Sequence, residues 1–219
     1  MQQLMRLSHI AHALPEAMRQ AKLTPEIPHP WEGLEQICDA CERGLLPIIG
    51  YGSLMSPLSA KRTLLHSDAD AMIPVQAYGA RRIFNYRMPA QALLQWGSSQ
   101  DPTEQAALNV QVTWRETDTV NGVLIGLDKR DLQQFRDRER GYALIAIPCR
   151  PWHDRNTSAT FSLAYILSDS RANAAKEKIS PVRGYLDMCR EASRRFGEEF
   201  AEEFDRTSFL WDETTSLLE

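Results

Sequence analysis

Histidine is scarce in this chain and does not gather. Five occur in 219 residues, His9, His12, His29, His66 and His153. Only His9 and His12 share a helical spacing, and no carboxylate or cysteine stands at the companion spacing a zinc enzyme needs. Cysteine is equally thin, with four residues. Cys38 and Cys41 have the spacing of a redox or zinc half-site, yet Leu34, Ile37, Cys38 and Cys41 recur as one apolar helix face that Gly44 ends. Cys149 and Cys189 stand alone, so the thiols read as small buried hydrophobes in a reducing cytoplasm, with no metal site. No phosphate-binding loop is found, Gly50-Tyr51-Gly52 is too short for a dinucleotide fingerprint, and Met55 breaks any nucleophile elbow around Ser53.

Excess positive charge is also missing. Lys and Arg number 25 against 29 Asp and Glu, a net charge of -4, which leaves no electrostatic footprint for nucleic acid. Long apolar runs are missing too. The strongest, Leu45 to Ile49, is broken by Pro47 and is far short of the roughly 20 residues that span a bilayer. Met1 to Met18 lack the unbroken apolar core of a secretory signal. These absences argue against nucleic-acid and membrane partners, and they place the chain in the cytoplasm.

What is present suits a folded domain: 43% hydrophobic and 25% charged residues, in a length that fills one ordinary core. Residues 1–44 read as a helical extension interrupted at Pro15, Pro25, Pro28 and Pro30, with a second helical piece over Trp31 to Arg43. From Leu45 the pattern becomes strand-like. Val75 to Arg87 reads as one strand with a bulge at Gly79. Gly97 to Gln105 reads as a surface loop. After it, Leu108, Val110, Val112 and Trp114 alternate with Asn109, Gln111 and Thr113, as in a strand with one buried face. Asn121-Gly122 reads as a turn introducing a strand at Val123 to Leu127. A short helix follows, with Asp128 and Asp131 in a capping arrangement. Tyr142 to Cys149 and Phe161 to Leu167 read as antiparallel partners. Cys189, Ala192, Phe196, Phe200 and Phe204 mark one face of a long closing helix. Its other side, Arg194, Arg195, Glu198, Glu199, Glu202 and Glu203, reads as solvated surface. Strands first and helix last predict an α+β fold.

Two segments remain as candidates for chemistry, although read alone Gly52 is a turn glycine and the charged run an exposed helix end. One is the glycine-bearing strand exit Gly50-Tyr51-Gly52-Ser53-Leu54, where backbone can approach a ligand closely. The other is the charged run Arg136 to Arg140, followed by Gly141 and Tyr142. Read locally, Glu139 is either a functional acid or the ion-pair partner of Arg136 or Arg140.

Gly50-Tyr51-Gly52-Ser53-Leu54 resembles the first-strand signature of the γ-glutamylcyclotransferase-like family, in particular its ChaC-type branch. Arg138-Glu139-Arg140-Gly141-Tyr142 resembles that family's second signature, an acid just before a strand that begins with tyrosine. Between them Gly79 to Asn85 resembles the second strand and Asn121 to Leu124 the strand entering the catalytic helix. Pro181 to Phe204, with Tyr185-Leu186 near its start, resembles the closing helix. Met55-Ser56-Pro57 replaces the aromatic continuation of the ChaC-type branch, whose His-Arg-Gly-Thr-like segment is missing here.

The resemblance implies a small mixed or barrel-like sheet with flanking helices over residues 45–207, between the extension at 1–44 and a tail at 208–219. It implies an enzyme that cyclises a γ-glutamyl group to 5-oxoproline and releases an amine, peptide or amino acid. Glu139 would move the proton, Tyr51, Gly52, Ser53 and Leu54 would hold the α-carboxylate or the carbonyl oxygen through backbone N–H groups, and Tyr142 and Tyr185 would contact substrate. Glutathione, γ-glutamyl amino acids, γ-glutamyl amines and a γ-glutamyl-protected metabolite all remain open as substrates. No metal or organic cofactor is required by that scheme. The alternative is a non-catalytic binding or interaction protein on the same fold.

Overall fold

Leucine and isoleucine packed densely before a glycine produce the central strand β1, Leu45–Gly50, buried from Leu46 onward. A computed structural model of the chain describes Glu16, Arg19 and residues 33–41, 44–96, 103–115, 117–156, 161–169, 174–175 and 177–218. Around β1 run β2 (Ile73–Tyr78), β3 (Ala80–Arg87), β4 (Glu104–Val112), β5 (Thr119–Asp128), β6 (Ala143–Pro151) and β7 (Ser162–Ser168). Strands β1, β5, β2, β6 and β7 close in that order into a barrel. Its pairs are antiparallel except β1 with β7, which is parallel, so the sheet is mixed. Closure leaves no open edge to attract another chain. The partnership expected for the strands after Tyr142 and Phe161 is present, with Ala143 opposite Ser168 and Cys149 opposite Ser162.

A second sheet lies beside the barrel. It contains β8 (Ser180–Pro181), β4, β3 and β9 (Ser208–Phe209) in that order. The residues read as one bulged strand, Val75 to Arg87, therefore belong to two sheets. Gly79, at φ 80°, turns the corner between them: its N–H donates to Asp118 O, and its carbonyl accepts from Thr113 and Trp114. Positive φ suits glycine, and a Cβ here would also lie 3.2 Å from Trp114 Cα.

Three further sequence readings give way to tertiary packing. Strand β4 is covered on both sides, because Asn109 is buried and donates to Asn85 Oδ1 at 3.0 Å; the strand stops at Val112, and Trp114 takes φ 59°. Asn121-Gly122 makes no turn. Both lie inside β5, opposite Gln76 and Val75 of β2. A Cβ at Gly122 would meet Gly50 O at 2.6 Å, which explains a glycine in mid-strand. The Asp131 carboxylate serves no capping box; it is wholly buried and gathers the backbone N–H groups of Leu65, His66 and Ser67. Asp128 alone caps, accepting from Arg130 N.

The helices are α1 (Leu34–Ala40), α2 (Pro57–Ala60), α3 (Ala90–Leu93), α4 (Leu132–Arg138), α5 (Arg183–Arg194) and α6 (Glu198–Arg206). Helix α1 carries Leu34, Ile37 and Cys38 on its buried face, with Cys41 buried at its end. Most of the rest of the expected extension, residues 1–15, 17–18, 20–32 and 42–43, lies outside the described residues; Glu16 and Arg19 are helical. The expected long closing helix is two helices, broken at Gly197 with φ 105°. Cys189, Ala192, Phe200 and Phe204 are buried as their spacing predicts, but so is Glu203, which was read as solvated. Beyond α6, Ser208 and Phe209 pair in parallel with Arg82 and Ile83 of β3.

Candidate functional site

The chain leaves β1 at Gly50 and immediately tightens into a 3-10 turn, Ser53–Met55, that no side chain caps. The first N–H groups of such a turn have no partner within it and are available as donors. Glycine at 50 and 52 lets the turn fold against its surroundings. A Cβ at Gly50 would sit 2.6 Å from Leu54 Cβ, and one at Gly52 would sit 2.7 Å from Tyr185 Oη and 3.2 Å from Leu108 Cδ1.

Glu139 reaches the same place from the connection between β5 and β6. It is the residue at which α4 ends, its N–H bonded to Phe135 O. Gly141, at φ 103°, then reverses the chain so that Tyr142 N returns to Glu139 O at 3.1 Å and β6 begins. Tyr142 Oη donates to Leu108 O at 2.8 Å, and the ring stacks on Tyr86 at 4.5 Å. Tyr185 comes from the first turn of α5, edge-on to Trp96 at 5.6 Å and to Phe84 at 6.5 Å.

All seven residues singled out in the sequence meet at one cavity of about 40 Å³. Tyr51, Gly52, Ser53 and Leu54 form one wall, Glu139 and Tyr142 another, and Tyr185 a third, with Leu108 and Leu167 completing it. The one charged side chain on these walls is Glu139. Its side chain is 12% exposed, and burial raises its carboxyl above the ordinary glutamate value, while the Arg138 guanidinium pulls it back down. Burial also pushes the Tyr51, Tyr142 and Tyr185 hydroxyls well above the usual tyrosine range, so all three stay neutral. The cavity thus offers a carboxylate, neutral phenols and turn amides within apolar walls. Such a set can hold a small group bearing an amine and an oxygen, and can move a proton between them.

No family model matches the chain, and no curated protein sequence does. Solved structures do match. A structure described as a gamma-glutamyl cyclotransferase superposes with a TM-score of 0.54 at 14% identity, covering 73% of this chain and 86% of that one. The chain has the γ-glutamylcyclotransferase fold. A human protein described as uncharacterized superposes over the same shares at a TM-score of 0.53 and 14% identity. A yeast cyclotransferase described as specific to glutathione is also similar, at 12% identity and a TM-score of 0.46 over 74% of this chain and 97% of its own.

On this γ-glutamylcyclotransferase fold the sequence reading missed the groups that support the site. The ion-pair partner of Glu139 is neither Arg136 nor Arg140 but Arg138, Nε to Oε1 at 2.8 Å. Arg82 is wholly buried behind the turn and donates to Tyr51 O at 2.9 Å, to Asn121 O at 3.0 Å, to Asn121 Oδ1 and to Thr207 Oγ1 at 3.0 Å. Its guanidinium also lies 4.1 Å from the centre of the Phe204 ring. Leu108 and Leu167 gave no signal beyond their place in apolar strands. Arg82 did give one: a charged residue amid the apolar positions of β3.

Proposed function

We propose that this chain is a γ-glutamylcyclotransferase whose base is Glu139, nearest to the ChaC-type branch by its two signatures. The observation that carries the reading is the convergence of Glu139 with the Tyr51–Leu54 turn on one cavity of this fold.

The substrate's α-amine attacks its own γ-carbonyl carbon. A C–N bond forms to close a five-membered ring, the amide bond to the distal amine breaks, and 5-oxoproline and a free amine result. The α-ammonium must first lose a proton and the leaving nitrogen must gain one, so one carboxylate serves both transfers. A free glutamate, with a pKa of about 4.3, is a weak acceptor near neutrality. Burial at position 139 raises that basicity. The turn amides of residues 52–54 and the Tyr185 phenol are suited to hold the carbonyl oxygen or the α-carboxylate, while Tyr142 Oη, whose proton goes to Leu108 O, is suited to accept from the α-amine; together they fix amine and carbonyl at attack distance, where orientation supplies much of the rate. The balance of the reaction asks for no electron acceptor or cofactor. Four unpaired, buried thiols support a reducing cytoplasm as its setting.

The test is to incubate the protein and Glu139→Gln with glutathione and a panel of γ-glutamyl amino acids and amines, following 5-oxoproline by mass spectrometry. Release by the native protein and its loss in the variant support the reading and name the substrate class. No release from any substrate by the folded protein turns the reading to a binding protein on this fold.

A further inference from the structure

The Arg138 side chain is more completely engaged than a salt-bridge partner needs to be. A guanidinium has five N–H groups in a rigid plane. Here Nε faces Glu139 Oε1 at 2.8 Å; Nη1 donates to Ser59 O at 2.7 Å and Thr63 Oγ1 at 3.3 Å; and Nη2 donates to Ser53 Oγ at 2.9 Å and Ser59 Oγ at 3.0 Å. The acceptors come from three separate pieces of chain: the end of α4, the 3-10 turn after β1, and the stretch from α2 to Thr63. Ser53 and Glu139 are the members that also face the cavity.

We propose that Arg138 is the positioning residue of this site, its planar fork holding the Glu139 carboxylate and the Ser53 turn at one fixed separation so that base and oxygen donors act as a unit. The proposal rests on the cyclotransferase reading of the cavity. Arg138 is not among the cavity's lining residues, so its action is through its partners. A planar fork transmits geometry, and a point charge does not: lysine would supply the same charge but neither the plane nor the number of donors. The carboxylate also needs a tether. Glu139 stands at the C-cap of a seven-residue helix, where its own backbone makes the last helical bond.

The experiment compares wild type, Arg138→Lys and Arg138→Gln by the pH dependence of kcat/KM for 5-oxoproline release, and by carbon-13 titration of the Glu139 carboxyl without substrate, assigned by its loss in Glu139→Gln. Arg138→Lys is expected to lower kcat/KM by about 10²-fold, the scale of a misplacement near 1 Å, with the acid limb little moved because the charge remains. Arg138→Gln is expected to lose activity similarly and to move the acid limb and the Glu139 titration to higher pH. Full activity in Arg138→Lys overturns the proposal, since charge alone would then suffice. So does a Glu139 titration identical in wild type and Arg138→Gln. If Arg138→Gln does not fold, Ser59→Ala removes one Nη2 acceptor outside the cavity; a loss of about five-fold, the scale of one hydrogen bond, supports the proposal and unchanged kinetics oppose it. Should wild type release no 5-oxoproline, the cyclotransferase reading falls, and the proposed role in that reaction falls with it. The substrate-free titration then still reports whether Arg138 governs Glu139, which tells the two failures apart.

Discussion

The Tyr185 hydroxyl oxygen stands 2.7 Å from where a Cβ on residue 52 would be. Real Cβ contacts are not that short, so a side chain at 52 forces Tyr185, in the first turn of α5, or the exit of β1 to shift. Gly52→Ala is expected to displace Tyr185 or the Ser53 turn and to reduce kcat/KM by about 10²-fold, the cost of a displacement near 1 Å. Combining it with Tyr185→Phe removes the nearer clash and leaves only Leu108 Cδ1, at 3.2 Å. In a double-mutant cycle the two changes should therefore be strongly non-additive; additivity would show that they do not meet.

Arg82 anchors the other face of the same turn. Burial lowers its pKa to about 10, so it is still protonated at neutral pH. Replacing it with methionine keeps much of the bulk over Phe204 but strips donors from the Tyr51 and Asn121 carbonyls. Leaving a buried neutral acceptor without its donor typically costs about 1–3 kcal/mol. Arg82→Met should show a loss of that order in urea unfolding, with the urea dependence itself unchanged if the variant keeps its fold.

Glu139 should make stability depend on pH in a direction opposite to that of most carboxylates. Burial raises its carboxyl in the native state above the ordinary value it has in the unfolded chain. Between those two pKa values the native state binds the extra proton, so stability falls as pH rises through that window and stays lower above it. Glu139→Gln carries no charge to bury and keeps an acceptor for Arg138. It is expected to melt higher than wild type at neutral pH, with the difference fading as the pH drops below the ordinary glutamate range. Thermal melts of both proteins from acid to neutral pH check this. A higher wild-type melting point at neutral pH would mean that the Arg138 pairing outweighs burial.

Gly197 isolates a backbone effect from a packing effect. Its φ of 105° and ψ of 161° fall in a region open essentially to glycine, and a Cβ there would touch nothing within 4 Å. Gly197→Ala should therefore destabilise by strain alone, by about 1–3 kcal/mol, with KM unaltered. Denaturant melts and steady-state kinetics on the same preparation separate the two readouts.

The thiols should be silent in the folded protein. Burial pushes Cys38, Cys149 and Cys189 up to about 12 and Cys41 to about 11, so at pH 8 almost none is thiolate. A thiol-specific reagent is expected to label none of the four before unfolding and all four after it. Fast labelling of Cys38 and Cys41 in native conditions would show that α1 detaches from the barrel.

Residues 51–54, 139, 142 and 185 could be named as candidates because a glycine-bearing strand exit, an acid just before a Gly-Tyr pair and an aromatic at a strand or helix start stand in an order that resembles the family's; the structure adds that they line one cavity. The apolar face of α1 and the β6–β7 pair were legible for a similar reason: periodicity of 3.6 or 2 is written in neighbouring residues. The barrel-like sheet was expected from the family resemblance and is present, but the order in which its five strands close was not legible. Nothing near Gly79 says that the chain changes sheet there, because the corner is fixed by Trp114 and Asp118 on another strand connection. Asn121-Gly122 has the composition of a turn, but pairing with Gln76 and Val75 of β2 makes it strand, and the nearness of Gly50 O leaves room only for glycine at 122. Arg136, Arg138 and Arg140 are indistinguishable as neighbours of Glu139. Tertiary structure selects Arg138, because its other acceptors lie at Ser53, Ser59 and Thr63, 75 to 85 residues away. The sequence marked the candidate groups, residues 51–54, 139, 142 and 185, through local pattern and family resemblance. Which groups hold them in place depended on contacts distant in the chain, and those exist only once the barrel has closed.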